Sequence, residues 1–331
     1  MVRAGAVKRA TLVAGVLLAG CTGTQSALDP GGNQATTLLW LLGLMLWVCG
    51  AVYALVVGGL IWALWRSWRR KGAAIGGPTD ARWERALPVA AGAIVIALTV
   101  LVTASFFADR ALFATRGGPA LEVRVTGHQW WWRIQYRDPA GGGWIETANE
   151  LHLPQGRTVR LVLGAADVIH SFWVPNVAGK LDMIPGRTNV LDVTARKLGW
   201  YRGQCAEFCG TQHAHMALDV KVEPPEAFRA WLAAQAIAVV PPAGRGAAVF
   251  AGACGSCHTI RGSAAAGRAG PDLTHVAARR SLAAGTLATT RGNLQGWIAQ
   301  PQAIKPGTSM PAVPLAPADA DAVASYLMDL R

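Results

Sequence analysis

The chain has 331 residues, 52% of them hydrophobic, enough for two or three domains, and a net charge of +12 from 31 basic and 19 acidic residues. In a soluble protein that excess suggests nucleic acid. Here the basic residues lie beside apolar runs and no nucleic-acid motif occurs, so the charge reads as a membrane-topology signal and nucleic acid is excluded as a partner.

Residues 1–20 read as an export signal, with Arg3, Lys8 and Arg9 ahead of a short apolar run at 11–19. The string Leu18-Ala19-Gly20-Cys21 resembles a bacterial lipobox, which makes Cys21 the lipidated first residue of the mature chain. The alternative is an ordinary signal peptide with a chance cysteine. After a linker at 21–37, the region 38–108 holds two apolar stretches, 38–65 and 88–107, each long enough to cross a bilayer. Arg66, Arg69, Arg70, Lys71, Arg82 and Arg85 lie between them, so the loop is cytoplasmic and both ends lie on the outer side. Cys49, inside the first stretch, reads as a small buried apolar residue.

From residue 121 the texture changes. Segments 121–126, 158–163 and 189–194 are β-like, alternating or β-branched, and Gly, Pro and Asn clusters separate them, so 120–223 reads as a β sandwich or barrel. The linker 224–242 carries a short helix at 226–235. Residues 243–331 form a small helical domain, with helices at 247–252, 294–300 and 318–330.

Two cysteine clusters carry chemistry. In the loop 203–216, Cys205 and Cys209 are four apart, His213 follows four later and Met216 three after that; His170 lies upstream. Thiolate, imidazole and thioether together favour copper, and two thiols can bridge two ions. A Cys205–Cys209 disulfide would leave His170, His213 and Met216 without a role, and zinc takes thioether poorly. In the last domain Cys254-Gly255-Ser256-Cys257-His258 is the attachment signal of a c-type heme. A disulfide or a thioredoxin-like site are the alternatives, but the βαβ context of the latter is missing. Met310, in a Gly/Pro-rich loop, is the expected sixth iron ligand; Met328 and His275 are the competitors.

These motifs, with Gly127-His128-Gln129-Trp130-Trp131-Trp132, His170-Ser171-Phe172-Trp173-Val174-Pro175 and Asp182-Met183-Ile184-Pro185-Gly186-Arg187, resemble subunit II of a heme–copper cytochrome c oxidase with a fused cytochrome c domain. The resemblance implies a multidomain chain: a two-helix transmembrane hairpin, an all-β cupredoxin-like Greek-key barrel and an all-α class I cytochrome c domain. It implies a binuclear copper A centre bridged by Cys205 and Cys209, with His170 and His213 on one copper each, Met216 bound weakly and Glu207 through its carbonyl. The Glu207 side chain is expected at a magnesium shared with subunit I. Trp130 matches the electron-entry aromatic residue, and Asp182 and Arg187 match contacts with subunit I.

The implied partners are subunit I with heme a and copper B, subunit III, membrane lipid, and a donor that is a cytochrome or a quinol–cytochrome c reductase complex. The implied place is a bacterial inner membrane, with both metal domains on the periplasmic face. At least one of Trp130, Trp131 and Trp132 is expected only to pack the barrel. His128 is expected to be a structural hydrogen-bonder, and His152 and His215 to be exposed or behind the ligands. Trp131 stands where the family often has Tyr, and neither Asp80 nor Glu84 matches cleanly the acidic residue that often precedes the second span. Few acidic residues are present to steer a free cytochrome, which suits a tethered donor. Rival readings are a copper-A nitric oxide reductase subunit and a non-enzymatic heme lipoprotein or assembly factor. Nitrous oxide reductase would need a propeller domain, and a quinol oxidase subunit would not keep the copper ligands.

Overall fold

A computed structural model describes residues 22–69, 81–113, 121–138, 141 and 143–331. The expected signal segment, Cys21, Arg70, Lys71, Asp80 and the Arg82 side chain lie outside the described residues. The chain forms two compact units, residues 36–114 and the remainder.

The first unit is two helices, α1 (Asn33–Arg69) and α2 (Ala81–Phe113). Both extend beyond the apolar stretches read from sequence, and Pro88 lies inside α2 rather than at its start. At 1.5 Å per residue α1 is about 55 Å long, more than the roughly 30 Å hydrocarbon layer. Its apolar side chains point outward: Trp47 is 81% and Leu55 77% exposed, and on α2 Val89 is 73% exposed. Such a coat is unstable in water and suits lipid, and a helix satisfies its own backbone there. Arg66 and Arg69 stack over Trp62 and Trp65 at the end of α1. Cys49 is exposed on α1, not buried as expected: among the described residues no element covers it.

The second unit begins with a β sandwich. Its strands are β1 (Leu121–His128), β2 (Trp131–Arg137), β3 (Trp144–Ala148), β4 (Glu150–Pro154), β5 (Thr158–Ala165), β6 (His170–Trp173), β7 (Leu181–Met183), β8 (Asn189–Thr194), β9 (Gly199–Cys205) and β10 (Ala217–Glu223). One sheet runs β3-β2-β1-β5-β8, the other β4-β10-β9-β6-β7. Period-two patterning puts alternate residues of β1, β2 and β5 inside. Trp132, Tyr136, Phe172, Leu151 and Leu161 fill the space between the sheets, each at 1% exposure or less. Each such side chain contributes about 1.5–3 kcal/mol by burial. Residues 22–35 are laced to this sandwich by Asn176, whose amide meets Ser26, Gly23 and Asp29.

Helix α3 (Pro225–Ala236) packs Phe228 and Leu232 onto the barrel core. Four helices follow: α4 (Arg245–Ala253), α5 (Arg291–Ala299), α6 (Pro301–Ile304) and α7 (Pro317–Met328), with a small hairpin of β11 (Ser281–Leu282) and β12 (Leu287–Ala288). Thr290 caps α5 by accepting from Asn293, and Pro317 opens α7, where its missing N–H costs nothing. Phe250, Ile298, Tyr326 and Leu327 form the core of this domain. α6 and the hairpin were not expected from sequence; both are too short to carry a periodic pattern.

Two histidines correct expectations. His152 is 2% exposed and far from solvent: Nδ1 lies 2.6 Å from Glu223, Nε2 3.0 Å from Glu150, and the ring stacks 3.8 Å from Trp231 of α3. It is a polar core residue, as its place in the middle of the fully buried strand β4 requires. His128 does not act as a hydrogen-bonder through Nε2, which is buried without a partner; the ring stacks on Trp131 at 4.5 Å, and burial pulls its pKa down to about 4.

Candidate functional site

The first cluster is built by strand register. β6 and β9 pair antiparallel with Phe172 opposite Cys205, so His170, two residues along the same face, lies beside that sulfur. The loop from β9 to β10 is closed at its base by Cys205 N–H donating to the Met216 carbonyl. The return passes through one 3-10 turn, His213–His215. His170 Nδ1 lies 3.9 Å from Cys205 Sγ, His213 Nδ1 3.6 Å from Cys209 Sγ, and Met216 Sδ 3.8 Å from Cys209 Sγ. The Glu207 carbonyl oxygen is 3.1 Å from Cys205 Sγ. The ligating atoms of His170, Cys205 and Cys209 all lie within 4.8 Å of one another, and these residues are buried.

Both thiols are free. The hydrogen bond from Cys209 pulls the Cys205 thiol down to about 3, and the same contact pushes Cys209 up. Burial opposes a charge on His170, yet contacts with Cys205 and Asp167 leave its pKa raised. The spacing suits metal ions. Bonds of about 2.0 Å to nitrogen and 2.3 Å to sulfur at a near-tetrahedral angle set a nitrogen–sulfur edge of about 3.5 Å. The two edges here, 3.9 and 3.6 Å, are close to that. Two thiols, two imidazoles, a thioether and a carbonyl are a donor set that copper prefers.

Asp167 was missed from sequence. Its Oδ1 is 2.7 Å from His170 Nε2, and Oδ2 accepts from the Gln129 amide, which fixes the imidazole with Nδ1 toward the sulfurs. Gly127 is needed beside it: a Cβ there would meet the His170 ring at 2.8 Å.

The second cluster lines a cavity in the helical domain. Cys254, Cys257, His258 and Met310 all face it, with Ile298 and Leu327 among its apolar walls. His258 Nδ1 donates to the Pro271 carbonyl at 2.8 Å, leaving Nε2 for a metal, and burial lowers its pKa, which favours the neutral ligand form. A Cβ at Gly270 would come within 2.5 Å of that ring. Met310 lines the cavity and its loop is tied by Gln302 donating to its carbonyl. Met328 packs against the core instead, and His275 Nε2 is committed to the Ile237 carbonyl. Arg279 reaches the cavity with its Nε buried and without a partner, a cation suited to the carboxylates of a heme.

The two clusters meet at Trp130. Its Nε1 donates to the Cys209 carbonyl at 2.9 Å, and Gln129 Nε2 donates to the same oxygen at 2.8 Å. Its ring lines the second cavity and packs against Gly307, at 3.6 Å from where a Cβ would stand. Trp132 lies fully inside the barrel core. Lys305, also unforeseen, is 2% exposed at the end of α6 and donates to the carbonyls of Trp130, His215 and Ala283. Burial pulls it down to about 7, with Cys209 pulling the other way. Further bonds cross between barrel and helical domain: Gln212 to the Pro306 carbonyl, Arg133 to the Arg268 carbonyl, Ala217 N–H to the Ala284 carbonyl and Arg280 N–H to Glu150. The helical domain is therefore seated against the barrel. Asp182 is on β7, opposite Ser171 in register, and Arg187 is exposed in the turn that follows. His215 is exposed as expected.

Comparison with known proteins agrees with this architecture. Residues 121–223 match the family model "Cytochrome C oxidase subunit II, periplasmic domain", and residues 243–331 match the cytochrome c model. Cytochrome c oxidase subunit 2 of Alkalihalophilus pseudofirmus is 33% identical over 96% of this chain and 94% of its own length. That of Cereibacter sphaeroides is 30% identical over 64% of this chain and 80% of its own. A solved structure, the periplasmic domain of subunit II of cytochrome oxidase of Bradyrhizobium japonicum, is 32% identical, covers 36% of this chain and 96% of itself, and has a TM-score of 0.34. The chain belongs to the cytochrome c oxidase subunit 2 family, in a form that also carries a cytochrome c domain, with copper A and heme c as its implied cofactors.

Proposed function

We propose that this chain is the electron-entry arm of a cytochrome c oxidase, anchored by α1 and α2 in a bacterial inner membrane with its metal domains on the periplasmic face. Electrons come from an external donor, a cytochrome or a quinol–cytochrome c reductase complex. They leave to subunit I, where oxygen is reduced and protons are pumped, and subunit III completes the complex. When bound, heme c and copper A each take up and release single electrons, and this is all the redox chemistry the chain needs.

Cys254 and Cys257 would hold the heme covalently, His258 and Met310 would bind its iron, and Arg279 would meet its carboxylates. Cys205, Cys209, His170, His213, Met216 and the Glu207 carbonyl would hold the copper, which would supply the one-electron chemistry there. The Glu207 carboxylate would face a magnesium shared with subunit I, and Asp182 and Arg187 would contact that subunit. Paired strands β6 and β9 fix His170 and Cys205, and the loop closed between β9 and β10 holds the other copper ligands, which limits rearrangement when the charge changes. The observation that carries the reading is Trp130, with its N–H on the Cys209 carbonyl and its ring in the wall of the heme cavity.

The test is metal analysis and spectroscopy on the whole complex, followed by Trp130→Ala. Two coppers sharing one electron and one covalent heme per chain are expected. Trp130→Ala is expected to slow electron flow from heme to copper roughly tenfold or more, about 1.4 kcal/mol of barrier, with both centres retained. A single zinc, or a Cys205–Cys209 disulfide that takes no copper after reduction, rules the reading out.

A further inference from the structure

Lys305 is the least expected residue at the contact between the two domains. It is a lysine at 2% exposure, and among the described residues no carboxylate lies within ion-pair distance of it. Burying an unpaired ammonium costs several kcal/mol unless its hydrogens are taken up. All three are: Nζ donates to Trp130 O at 2.8 Å, His215 O at 2.8 Å and Ala283 O at 3.0 Å. An ammonium has three donors and a neutral amine two, so this arrangement is filled only by the cation.

The three carbonyls identify what is held. Trp130 stands between the two clusters. His215 lies between His213 and Met216 in the loop closed on Cys205. Ala283 belongs to the wall of the second cavity. Lys305 itself extends from α6, five residues before Met310. One side chain thus joins both candidate ligand loops and the aromatic ring between them.

A second, independent feature marks the same contact. Ala283 and Ala284, in the turn of the β11–β12 hairpin, are consecutive non-glycine residues at φ 51° and 58°. The left-handed region costs an alanine about 1–2 kcal/mol. The turn they form aims the Ala284 carbonyl at the barrel, where it accepts from Ala217 N–H next to Met216, while Ala283 O accepts from Lys305 and, within the hairpin, from Thr286 Oγ1. Such strain persists only where surrounding contacts hold it, and here those contacts include Lys305 and the first residue of β10.

We propose that Lys305 is a positioning residue for electron transfer: its ammonium locks the cytochrome domain onto the copper loop and holds Trp130 at a fixed separation from both centres. This rests on the electron-relay reading above. Lys305 touches neither metal; it acts through three backbone oxygens. Removing the donors strips the Trp130 and His215 carbonyls of their donor and leaves Ala283 O with Thr286 Oγ1 of its own hairpin, so the bonds that join these elements through the lysine are lost.

The experiment uses the complete oxidase, loaded with copper and heme, as parent, Lys305→Met and Lys305→Arg. Three quantities are read: the rate of heme-to-copper electron transfer after photo-injection, the relaxation of the copper EPR signal by the neighbouring ferric heme, and hydrogen exchange at 213–217 and 281–288. Lys305→Met is expected to slow the transfer roughly tenfold or more, weaken the relaxation and speed the exchange, with metal content and each centre's own line shape kept. Lys305→Arg is expected to recover part of the loss, since it restores charge and donors. Unchanged transfer and relaxation in Lys305→Met overturn the proposal. Should that variant not assemble, Lys305→Gln is read the same way. A parent in which no electron passes from heme to copper sinks the relay reading itself, whereas a fast parent with an equally fast Lys305→Met variant sinks only the lysine's role.

Discussion

At the scale of single residues, ligand geometry is set by groups that bind no metal. Asp167 holds His170 from behind, and Pro271 holds His258 in the same way. Loss of such a support typically costs 10–100-fold in metal affinity. Asp167→Asn is therefore expected to shed copper roughly ten times faster to a chelator, with the heme spectrum unchanged; equal retention would show that the carboxylate does not orient the ring. Met310→Ala is expected to abolish the methionine-to-iron charge-transfer band and lower the heme potential, while Met328→Ala leaves the band in place. The reverse pattern would move the sixth ligand to α7.

The metal motifs were legible because their spacing is local: Cys254 to His258 spans five residues and Cys205 to Met216 twelve. Asp167 was not, although it lies only three residues before His170, because a lone carboxylate in a turn carries no pattern until Gln129 is seen to cross it. Lys305 was invisible for a different reason. Its partner Trp130 is 175 residues away, and no local signal separates a lysine that buries its ammonium from one that reaches solvent.

At the scale of elements, period two and β-branching placed β1, β5 and β8, and proline and acidic residues placed the start of α7. The His152 cluster shows what patterning could not reach. β4 is buried along its whole length, so nothing alternates and its polar residues have no outward face. Glu150 and Glu223 come together around His152 only because β4 pairs parallel with β10. Burial alone would raise Glu223, but hydrogen bonds from His152 and Lys221 outweigh it and leave its pKa lowered. The unfolded chain then binds the proton more readily, so this stabilisation is present above the ordinary glutamate value and is lost as pH falls through the lower native one. Parent and Glu223→Gln are accordingly expected to differ in melting temperature by roughly 2–4 °C per kcal/mol at neutral pH and to converge in acid, followed by calorimetry. A difference that persists at low pH would assign the effect to packing on Trp231 instead.

At the scale of the whole molecule, the contact between barrel and cytochrome domain is made mainly of hydrogen bonds, those of Lys305 the most buried, with one half-exposed ion pair, Arg280 to Asp219. Encounter between separate redox proteins depends on exposed charge and weakens as salt screens it. Heme-to-copper transfer within this chain is therefore expected to change little between low and high ionic strength, while reduction of the heme by a soluble donor remains salt-sensitive; flash-induced kinetics across a salt series separates the two. A strong salt dependence of the internal step would mean that the domains part and meet again during turnover.

Trp130 is only 8% exposed, covered from the helical domain by Lys305 and Gly307. A soluble protein that could reduce an uncovered copper barrel finds that door shut. On the relay proposed above, choice of donor passes from the barrel to the outward surface of the heme domain, whose side chains are free to change without disturbing the copper loop. The chain can exchange one external supplier for another and leave its internal junction untouched.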